Sequence, residues 1–268
     1  TFTKMEEKPT HKFLILIHGL CMNDLQWERA GHNHGQILAH DMGFEPIYVR
    51  YNTGLHISQN AKSFAELLEK TSANFPKNSS FSILAHSMGG LVSRGACHYA
   101  KLAKHSWLNS LDKIIFLGTP HQGAPLEKGG NWVDTFLTLN PYTVPFTSLT
   151  KIRSSGITDL RYGNITDEDW QHHDRFKDSK DRRVSVPLPQ DIDCYAVAAS
   201  TSQVSTQVGD ELLGDGLVPI SSAFGKHKKA ELSLEFKENN KFLIRNTNHL
   251  DLLNNQEVYQ KIKEWLNS

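Results

Sequence analysis

The stretch Phe81-Ser82-Ile83-Leu84-Ala85-His86-Ser87-Met88-Gly89-Gly90-Leu91-Val92 decides how the rest of the chain is read. Its first five residues form a short, mostly apolar run of the kind that fills a buried strand. From Gly89 onward Leu91, Val92, Ala96, Tyr99 and Ala100 recur at helical spacing, which predicts a helix over 89–103. Ser87 stands between the two, with Ala85 two residues before it and Gly89 two residues after. A chain that turns sharply from strand to helix needs small residues at those places, because neighbouring backbone comes close; Gly90 adds room at the first helical turn. This is the setting of a nucleophile elbow, which lifts a serine hydroxyl above a sheet. The N–H of Met88, at the helix N-terminus, then faces the point where an oxyanion would form. Ala85 replaces the first Gly of G-x-S-x-G, a change that keeps the residue small. A buried core serine is the plainer alternative, and the strand before it and helix after it argue against that.

Working outward, Phe13-Leu14-Ile15-Leu16-Ile17 ends at His18-Gly19, Lys113-Ile114-Ile115-Phe116-Leu117 ends at Gly118-Thr119-Pro120, and Cys194-Tyr195-Ala196-Val197-Ala198-Ala199 is a fourth such run. Short runs that are apolar on both faces suit buried parallel strands. Glu45-Pro46-Ile47-Tyr48-Val49-Arg50-Tyr51 reads as a further strand, placed near an edge by its Pro and charges. Residues 58–75 carry Ala61, Phe64, Ala65, Leu67 and Leu68 on one helical face, with Ser58 as candidate N-cap. Val258, Ile262, Trp265 and Leu266 mark a last amphipathic helix. The alternation predicts an α/β fold with a doubly wound, mostly parallel sheet, in one domain over 1–268.

Residues 123–190 break the rhythm. They are rich in Pro, Gly, Asp and Arg and show no clear buried strand. Trp132, Phe136, Leu137, Leu139, Tyr142, Phe146 and Leu149 come first, then a very polar stretch over 170–183. This reads as a cap or lid inserted between two sheet strands, with a surface loop the plainer alternative. The apolar residues of 132–149 suit acyl chains or a membrane surface as well as ordinary packing.

A serine hydroxyl is a poor nucleophile until a base takes its proton. The elbow arrangement runs Ser, acid, His in chain order. Asp215, in Gly214-Asp215-Gly216-Leu217-Val218-Pro219, lies on a Gly-flanked turn beyond the strand at 194–199 and is the candidate acid. Asp210 is its rival; Asp191 and Asp193 precede that strand. His249, in Asn246-Thr247-Asn248-His249-Leu250-Asp251, follows the apolar Phe242-Leu243-Ile244 and precedes the last helix, so it is the candidate base. His227 sits in a basic loop instead. The chain has 14 histidines, so position in the fold has to carry the choice. The second oxyanion donor is the N–H of Leu20, with Cys21 next in line. His18 is expected to order that loop, and His86 to pack and hydrogen-bond beside the serine.

At these residues the chain resembles the lipase/esterase branch of the α/β-hydrolase superfamily. His18-Gly19-Leu20 resembles the lipase oxyanion segment, and His86-Ser87-Met88-Gly89-Gly90-Leu91-Val92 the lipase elbow and its helix. Gly118-Thr119-Pro120-His121-Gln122-Gly123 is similar to a segment common in lipases and in hydrolases like the GPI inositol-deacylases. Asp215-Gly216-Leu217-Val218-Pro219 resembles their acid loop. The resemblance, from about residue 12 to the end, implies hydrolysis of small-molecule or lipid carboxylic esters without a cofactor. His121 is expected to be structural. A thioesterase, amidase or acyltransferase would use the same triad, and a non-catalytic binding protein could keep the scaffold.

Composition narrows the partners. Lys+Arg and Asp+Glu are 29 each, giving a formal net charge of zero. No global positive field exists to attract nucleic acid or an anionic membrane. No apolar run approaches the roughly 20 residues needed to span a bilayer. Residues 1–12 are polar and unlike an intact signal peptide, and the absence of an initial Met leaves a removed leader open. Cys21, Cys97 and Cys194 are widely spaced, which favours free thiols and a cytoplasmic location. Gly31-His32-Asn33-His34-Gly35 and His172-His173-Asp174 lack partners at metal-site spacing and read as exposed polar loops, so no metal is expected.

Overall fold

Successive residues of β1 (His11–Ile17) go to opposite sides of one sheet: Phe13, Ile15 and Ile17 into one apolar layer, Leu14 and Leu16 into another. The same alternation holds in β3 (Ser79–His86), β4 (Leu111–Leu117) and β5 (Asp193–Ser200). Burial on both faces is why these segments lack the polar–apolar alternation of a half-exposed sheet. The computed structural model describes residues 11–124, 154–171, 181, 183–203 and 214–268. Among them, six strands form a sheet in the order β2-β1-β3-β4-β5-β6, with β2 at Phe44–Val49 and β6 at Lys241–Arg245. Every neighbouring pair is parallel. Pro46 sits on the edge strand β2, where a missing N–H is tolerated.

Helices cover both faces, as parallel crossovers require. α2 (Ile57–Ser72) and α3 (Met88–Ala103) pack on the layer of Phe13, Ile83 and Phe116. α1 (His34–Met42) contributes Leu38 to the opposite layer, beside Leu14, Ile115 and Val197. In the described residues that follow, α4 spans Ser155–Tyr162 and α5 Ile220–Ala223. α6 (Gln256–Asn267) closes the second face with Val258, Ile262, Trp265 and Leu266.

Three expectations need correction. Ser58 is not the N-cap of α2; the helix starts at Ile57 and its N-cap is His56, two residues earlier. The reason is tertiary: Asp159 Oδ2 accepts from Ile57 N–H and from His56 Nδ1, both at 2.9 Å, and supplies the carboxylate that a helix N-terminus favours. Leu67, placed on the inner face of that helix, is exposed. His32, Asn33 and His34 are not an exposed loop either; all three are buried. Asn33 caps α1 by accepting from Gln36 N–H, and the two imidazoles are absorbed by a hydrogen-bonded chain described below. The apolar residues of 132–149, His172, His173, Asp174 and Asp210 lie outside the described residues.

Candidate active site

The register brings the C-terminal ends of the central strands level: Ile17 pairs with Ala85, His86 with Leu117, and Leu117 with Val197. That edge is where ligands bind in parallel α/β sheets, and the candidate residues meet there.

Ser87 follows the last residue of β3 and immediately precedes α3. Its φ of +55° is in the left-handed region that non-glycine residues avoid. The strained turn is held because Ser87 N–H donates to Leu117 O at 2.9 Å and Ser87 O accepts from Gly90 N–H at 3.0 Å. A Cβ on Gly89 would lie 2.5 Å from Ile17 O and 2.7 Å from His18 O, so only glycine lets the helix start this close to β1. A Cβ on Gly19 would lie 2.9 Å from Cβ of Ser87, so the β1 loop comes directly against the elbow. Met88 is the first residue of α3, where a backbone N–H has no intrahelical partner. In the β1 loop, Cys21 N–H is engaged, donating to Thr53 Oγ1 at 3.3 Å. His18 orders this loop as expected: its Nδ1 bonds Gly19 O at 3.0 Å, and its own carbonyl accepts from Tyr51 Oη at 2.7 Å.

Asp215 and His249 come from loops beyond β5 and β6. His249 Nδ1 lies 2.6 Å from Asp215 Oδ2, and both side chains are buried. The other oxygen, Oδ1, accepts from Leu217 N–H at 3.0 Å and Val218 N–H at 2.8 Å. His249 N–H also donates to Asp215 O at 3.1 Å. An ionised carboxylate only accepts, so Nδ1 carries a proton, and in the neutral imidazole Nε2 then presents its lone pair. That Nε2 is buried with no hydrogen-bond partner. The imidazole lies beside the elbow, its ring centroid 4.7 Å from that of His86, the residue before Ser87.

The rejected candidates lie elsewhere. Asp193 starts β5 and pairs with Lys237, and Asp191 occupies the turn before that strand. His227 bonds Asp181 at 3.2 Å. His121 is buried against Arg94, whose Nη1 lies 3.0 Å from its Nδ1. Burial and that guanidinium push the His121 pKa well below its ordinary value, and burial lowers Arg94 to about 9. Asp159 is a residue that sequence reasoning passed over. Its partner His56 is 103 positions away, and no local pattern links them.

A parallel sheet with an elbow after β3 and an Asp–His pair beyond β5 and β6 is the α/β-hydrolase fold. Residues 10–208 match the family model described as "PGAP1-like alpha/beta domain", and the chain belongs to that family. A segment of 70 residues is 36% identical to the GPI inositol-deacylase of Emericella nidulans; it spans 26% of this chain and only 6% of that protein. Among solved structures, the mature lipase BlEst2 of Bacillus licheniformis superposes with a TM-score of 0.57 at 14% identity, covering 99% of this chain and 95% of that one. The lin2722 product of Listeria innocua gives 0.54 at 13% identity, with 96% and 94% covered. A metagenomic carboxyl esterase, MGS0156, gives 0.52 at 17% identity, with 92% and 66% covered. At these identities the likeness is one of fold.

Proposed function

We propose that the chain hydrolyses carboxylic esters of small molecules or lipids through Ser87, His249 and Asp215. The observation that carries the reading is the buried 2.6 Å contact from His249 Nδ1 to Asp215 Oδ2, which leaves Nε2 as a lone-pair base beside the elbow. Ser87 Oγ attacks the ester carbonyl as His249 Nε2 takes its proton. Asp215 holds the tautomer and stabilises the imidazolium that forms. The N–H groups of Leu20 and Met88 donate to the tetrahedral oxyanion. His249 then protonates the departing alkoxide, and water cleaves the acyl-serine by the same steps in reverse roles.

The lipase and the esterase among the fold neighbours, and the deacylase among the relatives, favour an oxygen ester over other acyl groups. In this reading one hydrolase domain carries residues 123–190 as a cap. Its described part supports that: Asp167 pairs with Lys62, and Trp170 stacks on His56 at 3.7 Å, both on or next to α2. Free Cys21, Cys97 and Cys194 fit a reducing, cytoplasmic setting. Among the described residues no helix is long and apolar enough to cross a membrane.

The test is hydrolysis of p-nitrophenyl esters of graded chain length by wild type and Ser87→Ala. The expected result is turnover by wild type and a loss of about 10³-fold or more in the variant. A variant as active as wild type overturns the nucleophile. A wild type inert on every ester overturns the esterase reading in favour of a binding role.

A further inference from the structure

We propose that His86 is a positioning residue for the base, locking the backbone of His249 to the strand that carries the nucleophile. The inference rests on the triad reading above and goes one step beyond it. His86 ends β3 directly before Ser87 and is fully buried. Its Nε2 lies 3.0 Å from the carbonyl oxygen of His249, across 163 positions of sequence. A carbonyl only accepts, so Nε2 carries the proton and Nδ1 is bare. Nδ1 has no hydrogen-bond partner and packs where a Cβ on Gly19 would lie 3.1 Å away. Burial, reinforced by the neighbouring His249 ring, drives the His86 pKa well below its ordinary value, so the ring stays neutral and keeps this one donor.

His249 is therefore held at both ends of its residue. Its amide N–H is given to Asp215 O, and its carbonyl is taken by His86. Asp215 fixes the direction of the imidazole, while His86 fixes its distance from Ser87, because residues 86 and 87 share one peptide unit. Misplacement of a reacting group by about 1 Å can cost on the order of 10²-fold in rate. Such a loss falls on the chemical step rather than on ester binding.

The test compares His86→Phe, which keeps a buried ring without a donor, with His86→Gln, whose amide nitrogen reaches as far as Nε2. kcat and KM on the best p-nitrophenyl ester are measured together with the rate of Ser87 labelling by a fluorophosphonate and the thermal melt. The expected result is a kcat lowered by roughly 10- to 100-fold in His86→Phe with KM within about twofold, and restored to within about threefold in His86→Gln. If His86→Phe does not fold, His86→Asn replaces it, since the shorter amide stops short of the carbonyl. His86→Gln active and His86→Asn impaired supports the assignment. Equal kcat in the donor-bearing and donor-lacking variants overturns it, as does a rise in KM with kcat unchanged. A wild type that neither turns over ester nor labels at Ser87 marks failure of the triad reading instead.

Discussion

Asp215 grips His249 at two points, through Oδ2 to Nδ1 at 2.6 Å and through its backbone oxygen to the His249 N–H at 3.1 Å. Replacing Asp215 by Asn leaves a group of the same shape but lets the amide donate to Nδ1, which selects the tautomer with its proton on Nε2. The expected outcome is a kcat lowered by about 10³-fold or more, with little change in KM. Steady-state kinetics on the ester cleaved best checks it. An active Asp215→Asn would leave the acid role to the rival Asp210.

Gly89→Ala places a methyl group 2.5 Å and 2.7 Å from two backbone oxygens that cannot move without shifting β1. The expected result is a loss of several kcal/mol of stability or a displaced elbow, seen as a lowered Tm and slower labelling of Ser87. A variant with unchanged Tm and unchanged labelling would contradict the close packing described here.

The histidines of Gly31-His32-Asn33-His34-Gly35 form a single line of hydrogen bonds. His34 Nε2 bonds Leu252 O at 2.9 Å, so His34 Nδ1 must accept from His32 Nε2 at 2.8 Å, and His32 Nδ1 from Gln256 Nε2 at 3.2 Å. With the bonds running in these directions both rings are neutral. Burial lowers the His34 pKa from an ordinary 6.5 to about 4. The unfolded chain thus binds this proton first, and the stability it represents is complete above about pH 6.5 and lost as pH falls through about 4. The amount is about 3 kcal/mol. Urea melts at several pH values between about 7 and 4.5 should show stability falling with acid, less steeply in His34→Asn. Identical slopes would contradict the assignment.

Asp159 ties the segment over 154–171 to the start of α2 through His56 and Ile57, and accepts from Asn164 within the segment itself. Asp159→Ala removes a buried carboxylate that caps the helix and pairs with His56, at an expected cost of about 3 kcal/mol. Limited proteolysis should then cut first within 154–171. Cutting elsewhere at the wild-type rate would show that this anchor does not hold the segment.

Strands were legible from sequence because burial on both faces leaves only apolar residues: Phe13 to Ile17 and Cys194 to Ala199 admit little else. The elbow was legible for a related reason, since close approach to Ile17 O and His18 O restricts position 89 to glycine. Asp215 and His249 were chosen by chain order and by their place after β5 and β6, and the structure brings their side chains together. What stayed hidden depends on partners far apart in the chain. Ser58 looked like a cap by local chemistry, yet Asp159 caps the helix from a distance. His32 and His34 looked like loop residues, because nothing nearby announces that Gln256 and Leu252 will satisfy them. The bond from His86 to the His249 carbonyl is of the same kind: a histidine beside a serine is visible in sequence, but its acceptor is not.

The most direct measurement is mass-spectrometric mapping of a fluorophosphonate adduct on the wild-type chain, repeated with His249→Ala. One phosphonylated residue, Ser87, is expected, with a labelling rate that collapses without the imidazole. An adduct on another residue, or equal labelling of Ser87 in both proteins, would contradict it.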